Sequence, residues 1–318
     1  MRLTMLLLIL FPIWAFGQPF PGRNITIVVP YPPGSTSDLL PRAIAPVMSQ
    51  SLGVPVVVEN RPGAGGNVGA AAVAKGGDAS GHTILMAPTP VLAVNAWLYK
   101  DMPFDPARDL TPVINAASTP NMIVVHQGFP ASTLNDLLSF ANTKPGALSF
   151  ASGGNGTTSH LCGELLKTTA KVDMVHVPYK GPAPALQDVI AGRVQMMCDN
   201  LSNVITHVRS GKLKAIALTG ANRHPQAADV PTAQESGLAG FEIGIFYGFA
   251  VPSATPKPVV QRLNAEIAKA LREPATRERL EQLGLAVVAD SPEDFARFVA
   301  AESERMRKLV AASGARVD

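Results

Sequence analysis

The chain has little charge, few aromatic side chains and almost no cysteine. Charged residues make up 16% of its 318 positions and aromatic residues 6%, and the cysteines are Cys162 and Cys198 alone. No block of single-sign charge stands out, which leaves no footprint for nucleic acid. Two cysteines do not make a disulfide-dense scaffold, and their spacing fits neither a CxxC redox motif nor a metal site. A disulfide between them and a pair of thiols packed as small hydrophobes both remain open. The histidines, His82, His126, His160, His176, His207 and His224, are scattered without metal-ligand spacing. There is no GxxxxGK[ST] loop and no GxSxG elbow, and Ser159 and His160 are neighbours that point apart on a helix. We therefore expect no catalytic residue, no metal and no cofactor.

Long apolar runs are also missing beyond the first residues. Met1 to about Ile13 is apolar apart from Arg2 and Thr4, and Ala15-Phe16-Gly17 gives the small residues a signal peptidase inspects. The run is shorter than the ~20 residues a bilayer span needs. Residues 1–17 thus read as a signal peptide cut before Gln18, and the remainder as a soluble, periplasmic protein. Loss of Arg2 would leave 26 basic residues against 24 acidic ones. The mature length favours two domains over one core.

What the chain does have is two glycine-rich turns, each between a strand-like run and a helix-like one. Ile25 to Val29 leads through Pro30-Tyr31-Pro32-Pro33-Gly34-Ser35-Thr36-Ser37-Asp38 into an apolar-periodic stretch from Leu39 to about Gln50. Ala147 to Ala151 leads through Ser152-Gly153-Gly154-Asn155-Gly156-Thr157-Thr158-Ser159-His160 into Leu161 to Ala170. Unpaired N–H groups and the positive end of the helix dipole attract anions at such places. Two of them invite one carboxylate.

Strands and helices alternate elsewhere: Val54 to Val58, Gly69 to Lys75 and Thr83 to Met86, then Leu134 to Ala141, Asp173 to Val177, Ala183 to Ala191, Val194 to Cys198 and Leu213 to Thr219. This α/β pattern predicts a largely parallel sheet flanked by helices, with ligands at strand carboxyl ends. Pro112 to Ala117 and Met122 to Val125 read as two successive strands, and Phe241 to Val251 as a return strand. Helices over Pro258 to Arg272 and Pro292 to Ala312 close the chain, the latter burying Phe295, Phe298 and Met306. The expected division is residues 18–118 with 244–318 as one lobe and 119–243 as the other, with the ligand cleft between.

Gly63-Ala64-Gly65-Gly66-Asn67-Val68-Gly69 has GxGxxxG spacing and no acidic residue at the distance a dinucleotide site needs, so it reads as a packing turn. Asp38 either caps its helix or meets a ligand donor. Asp199 and Asn200, at a strand end, should face the cleft, with Tyr31 and Tyr179 as walls.

These segments, together with Glu59-Asn60-Arg61-Pro62, His176-Val177-Pro178-Tyr179-Lys180-Gly181, Asp229-Val230-Pro231-Thr232 and Val259-Val260-Gln261-Arg262-Leu263-Asn264, resemble the Bug family, the periplasmic substrate-binding proteins of tripartite tricarboxylate transporters. The likeness covers the mature chain in order. It implies a type II periplasmic-binding-protein fold of two lobes joined by two crossing strands, a small carboxylate as ligand, and a permease of one small and one large subunit as partner. A monomer is expected. The two loops would hold one carboxylate through backbone N–H groups, often with water. Carried over, the contacts fall on Tyr31, Gly34, Ser35, Thr36, Asp38 and Thr89 in the first lobe and Ser152, Gly156, Thr157 and His160 in the second, with Tyr179 and Asp199 beside them. Gly34-Ser35 stands where a Gly-Gly pair is usual, and the two cysteines where small or apolar residues are usual. On this picture Gly156→Pro deletes a ligand donor while the fold survives. A sensory receptor engaging a membrane kinase, or a periplasmic enzyme on the same scaffold, are the competing readings.

Overall fold

The computed structural model describes residues 20–317. The proposed signal peptide therefore lies outside the described residues.

Ile25–Val29 forms β1, and its partners lie on both sides: β2 (Val56–Asn60) and β3 (Thr83–Pro88), all parallel. Helices α1 (Thr36–Leu52) and α2 (Asn67–Gly76) make the crossovers. Beyond a short helical turn at Pro90–Val94 come α3 (Asn95–Leu98) and α4 (Pro106–Asp109). The sequence pattern missed these because they carry no full amphipathic period.

The two strands expected around Pro112 and Met122 are one strand, β4 (Leu110–His126). Pro120, between the two apolar runs, explains the split. Register shifts occur between Pro112 and Ile114 and between Asn115 and Ala117, where a residue without an N–H is tolerated. Residues 110–120 pair antiparallel with β9 (Gly244–Pro252), and residues 121–126 pair with β7 (Met196–Asn200) and β8 (Leu213–Leu218). Pro120 marks the change of partner.

The second repeat is α5 (Leu134–Thr143), β5 (Ser149–Ser152), α6 (Thr158–Ala170), β6 (Val175–Pro178), α7 (Pro182–Ile190), β7 and α8 (Leu201–Arg209). β5 is parallel to β6 and β7. The chain ends with α9 (Lys257–Arg272), α10 (Pro274–Gln282), β10 (Ala286–Val287) and α11 (Pro292–Ser313). The sheet order β2-β1-β3-β9-β4-β7-β5-β6 is mixed, with parallel strands at both ends and antiparallel pairs in the middle. This is the two-lobed type II architecture.

The apolar cores follow from it. One cluster runs without a break from Val28 and Leu85 through Leu98 and Ile123 to Phe150, Leu161, Phe295 and Met306. Phe298, expected inside with Phe295 and Met306, is 42% exposed and lies edge-on against Phe246. Among the described residues no helix is long and apolar enough to cross a membrane.

Cys162 and Cys198 are both fully buried and form a disulfide, with Cα atoms 6.1 Å apart, which resolves the two readings left open by their spacing. The bond ties α6 to β7. For a sequence separation of 36 the chain-entropy account gives about 4 kcal/mol of stabilisation. Replacing both cysteines with alanine is expected to lower the melting temperature by roughly 8 °C or more, read by differential scanning calorimetry. An unchanged melting temperature would show that the bond does not form in solution.

Candidate functional site

Both helices begin earlier than their apolar periodicity suggests, and this decides which donors are free. At the first loop Ser35 is the N-cap in extended conformation, so Thr36, Ser37 and Asp38 form the first turn of α1. The Ser35 hydroxyl does not cap the helix. It donates to the Pro32 carbonyl at 2.8 Å and closes the turn instead.

Asp38 is buried and fully engaged. Its Oδ2 accepts from the Gly34 N–H at 2.9 Å, while Oδ1 accepts from Arg42 Nε at 2.9 Å and Asn60 Nδ2 at 2.8 Å. Burial pushes its pKa up, but the bonds to Gly34, Asn60 and Arg42 outweigh that and hold it below the usual carboxylate range. Asn60 also donates to the Tyr31 carbonyl, so the Asn of the Glu59-Asn60-Arg61 motif clamps β2 to the loop. The Gly34 N–H, expected as a ligand donor, is thus taken by Asp38.

The second loop repeats the device with an imidazole. Thr157 is the N-cap of α6; its Oγ1 accepts from the His160 N–H at 3.3 Å and donates to the Gly154 carbonyl at 2.8 Å. His160 Nδ1 accepts from the Gly156 N–H at 3.1 Å. The expectation that Gly156 offers this N–H to a ligand is corrected accordingly. What Gly156 provides is backbone geometry: its φ is +78°, and a Cβ there would lie 1.9 Å from Leu98 Cδ2 on α3. The second loop therefore packs against the first half of the chain.

His160 stacks on His176 with ring centroids 4.0 Å apart, and His176 stacks on Phe150 at 4.9 Å. His176 Nε2 bonds Ser152 Oγ at 2.7 Å. Both imidazoles are held down to about 4, His160 by burial and then by His176 and Lys167, His176 by burial and Lys167. The neutral Nδ1 of His160 is what the Gly156 N–H requires. In the unfolded chain both titrate near 6.5, so the unfolded state binds more protons between about 6.5 and 4 and stability falls as pH drops through that window. For His160 alone the full effect is on the order of 3 kcal/mol. Asp199 acts in the opposite sense: burial pushes it up to about 6, so its contribution is present below 3.8 and lost as pH rises through 6. The two histidines outweigh it, and urea midpoints are expected to be lower at pH 5 than at pH 7. An equal or higher midpoint at pH 5 would contradict the neutral stack.

The other expected residues separate into two groups. Thr36 and Asp199 meet at Tyr247, whose hydroxyl lies against the Thr36 side chain with the Asp199 carboxylate near enough to affect it; burial, the largest influence, raises the Tyr247 pKa. Asp199 is buried on β7, and its Oδ2 accepts from Asn203 at 3.0 Å. Tyr31 donates to the Gly65 carbonyl at 3.1 Å, and its pKa is raised by burial and then by Tyr247 and Tyr99. The Gly63–Gly69 turn is a packing element, with Gly63, Gly65 and Gly66 all at positive φ. Thr89, by contrast, is fully buried with its Oγ1 accepting from the Phe246 N–H at 2.8 Å, a pin between β3 and β9. The Tyr179 hydroxyl donates to Asp188 on α7 at 2.7 Å, and its side chain packs against the apolar cluster that includes Met122, Val124 and Leu186. Its backbone adjoins the second loop, the N–H donating to the Ser152 carbonyl at 3.0 Å.

The donors left over are specific. Among the described residues none accepts a hydrogen bond from the N–H of Thr36 or Ser37 in α1, or of Thr158 or Ser159 in α6. These are the first two helical positions of two helices, the orphan amides that attract anions. The sequence reading missed Ser37, Thr158 and Ser159 by starting each helix three residues late. It also missed Tyr247, hidden in an apolar strand, and Leu98.

Among the described residues no cluster of three His, Cys, Asp or Glu side chains could hold a metal ion. The family described as tripartite tricarboxylate transporter family receptor matches residues 40–315. The chain belongs to this family. It is 43% identical over 292 residues to a UPF0065 protein of Pseudomonas sp., covering 92% of this chain and 86% of that one. It is 34% identical to the protein BugT of Bordetella pertussis over 94% of this chain and 91% of that one. Among solved structures it is similar to an R. palustris protein described with adipate, at 36% identity and a TM-score of 0.84, over 94% of this chain and 100% of that one. The malate-bound MatC from Rhodopseudomonas palustris matches at 35% identity and a TM-score of 0.80, over 92% of this chain and 100% of that one. The chain is thus a solute-binding receptor of the TctC/Bug type, a family of periplasmic binding proteins.

Proposed function

We propose that this receptor captures a small carboxylate between its two lobes, performs no chemistry on it, and delivers it to a membrane permease of one small and one large subunit. The observation that carries the reading is the set of four free first-turn amides, those of Thr36, Ser37, Thr158 and Ser159, at two helix N-termini. The loops that present them, Pro30 to Asp38 and Ser152 to His160, contain no Lys or Arg. Neutral donors and helix dipoles hold an anion without the tight charge pairing that would slow release. Adipate and malate on similar proteins support a small carboxylate.

In this reading Thr36 with Ser37 and Thr158 with Ser159 face the ligand. Gly34, Ser35, Asp38, Ser152, Gly156, Thr157 and His160 shape the loops, and Tyr31, Tyr247 and Asp199 line the space beside them. The lobes are residues 18–118 with 244–318, and 119–243. The partner change of β4 at Pro120 and the start of β9 at Gly244 support that division. The receptor works as a monomer after export by residues 1–17, and closure of its lobes signals loading to the permease.

A thermal-shift screen of mono-, di- and tricarboxylates tests the reading. A ligand at 100 times its dissociation constant stabilises by ~2.7 kcal/mol, so a clear upward shift with at least one acid and none with cationic solutes is expected. Mass spectrometry of the same mixtures should recover the acid unchanged. Turnover would end the receptor reading.

A further inference from the structure

A fully buried asparagine with no partner stands beside the second loop. Asn121 has no exposed surface, yet neither its Nδ2 nor its Oδ1 has a hydrogen-bond partner among the described residues. Its backbone is fixed: the carbonyl accepts from both the N–H and the hydroxyl of Thr219, each at 2.9 Å. It sits where β4 leaves β9 and joins β7, directly opposite Asn200 in the antiparallel register. Side chains opposite one another in such a pair share a face, with Cβ atoms roughly 5 Å apart. Asn200 Oδ1 accepts from the hydroxyl of Thr158, the first residue of α6, at 3.3 Å. The Asn121 carboxamide is therefore within a side chain's reach of the free amides of Thr158 and Ser159. Ser159 adds a second signal, since its Oγ is also buried and without a partner.

Leaving such groups unmatched is expensive in a folded protein, and a buried asparagine with both ends idle calls for a ligand group. The chemistry of that group follows from the inventory. A carboxamide offers donors on nitrogen and an acceptor on oxygen. A second carboxylate only accepts and would leave Oδ1 idle. An ammonium only donates and would leave Nδ2 idle. A hydroxyl does both, and the Ser159 hydroxyl has the same dual character.

We propose that Asn121, assisted by Ser159, reads a hydroxyl on the bound acid, so that the receptor selects hydroxycarboxylates over their unsubstituted, amino and carboxylate counterparts. This rests on the carboxylate-receptor reading above.

Calorimetric titration of matched acids tests it: malate against succinate and aspartate, 3-hydroxybutyrate against butyrate, and 3-hydroxyadipate against adipate. In at least one series the hydroxy acid is expected to bind about tenfold tighter or better, as for sites built to bond a substrate hydroxyl. Asn121→Ala should bring that acid down to within about twofold of its unsubstituted partner, with melting temperature checked first. Should that variant fail to fold, Ser159→Ala is expected to narrow the ratio at least threefold, on the order of one hydrogen bond. If acids bind but in no series does the hydroxy acid bind more tightly than its unsubstituted and amino partners, or if the ratio survives both substitutions, the inference is overturned while the receptor reading stands. If no acid of any series binds, both fall.

Discussion

Gly156→Ala is expected to lower carboxylate affinity at least tenfold and to destabilise the protein by about 2–4 kcal/mol. Two effects add. The residue sits at φ +78°, where an L side chain is strained, and its new Cβ would lie 1.9 Å from Leu98 Cδ2. Leu98 is buried, so it has little room to yield. The substitution pushes the second loop away from α3 and moves the Thr158 and Ser159 amides with it. Gly156→Pro should do the same or worse, through backbone geometry and loss of the bond to His160, and not through loss of a ligand donor. The double variant Leu98→Ala with Gly156→Ala separates the causes. Removing Leu98's methyls clears the clash and leaves the φ strain, so the pair should be less damaging than the two single effects added. Strict additivity, measured by urea unfolding and titration, would show that the loop does not depend on that contact.

Asp38→Ala is expected to cost about 2–3 kcal/mol and to abolish binding. The change leaves the Gly34 N–H, Asn60 and Arg42 without the carboxylate that joins them. Asp38→Asn keeps the shape and one acceptor, and should cost less than half as much. A role for Asp38 confined to ligand contact predicts a different outcome, lost affinity at unchanged stability. Urea midpoints of the two variants without ligand distinguish these roles.

The α/β pattern was legible because strands such as Ile25 to Val29 are bounded by Pro and Gly and carry β-branched residues. Helix starts were less so. Apolar periodicity starts at Leu39 and Leu161, while the polar first turns before them, themselves largely buried, follow from Ser35 and Thr157 as N-caps. That offset of three residues moved the free amides off the glycines and onto Thr36, Ser37, Thr158 and Ser159. The loops themselves were found, but the partners of their amides were not: Asp38 for Gly34 and His160 for Gly156 are local, four residues on, and only the folded turn shows them closing. β4 was split because Ser118 to Asn121, with Pro120 among them, look like a break when Pro120 marks a change of partner. Contacts between distant segments, such as Leu98 on Gly156, leave no trace in local sequence. The pairing of Cys162 with Cys198 needed α6 to lie across β7. Asn121 did carry a signal, a polar residue between two strand-like runs, though not one that says what it meets.

In the proposed function, backbone amides at two helix starts hold the acid. A crystal structure of the protein with its tightest-binding acid tests this directly. The expected result is a carboxylate whose oxygens lie within hydrogen-bond distance, directly or through one water, of amides from both Thr36–Ser37 and Thr158–Ser159. A carboxylate bound by a Lys or Arg side chain, or contacting only one of the two helices, would contradict it.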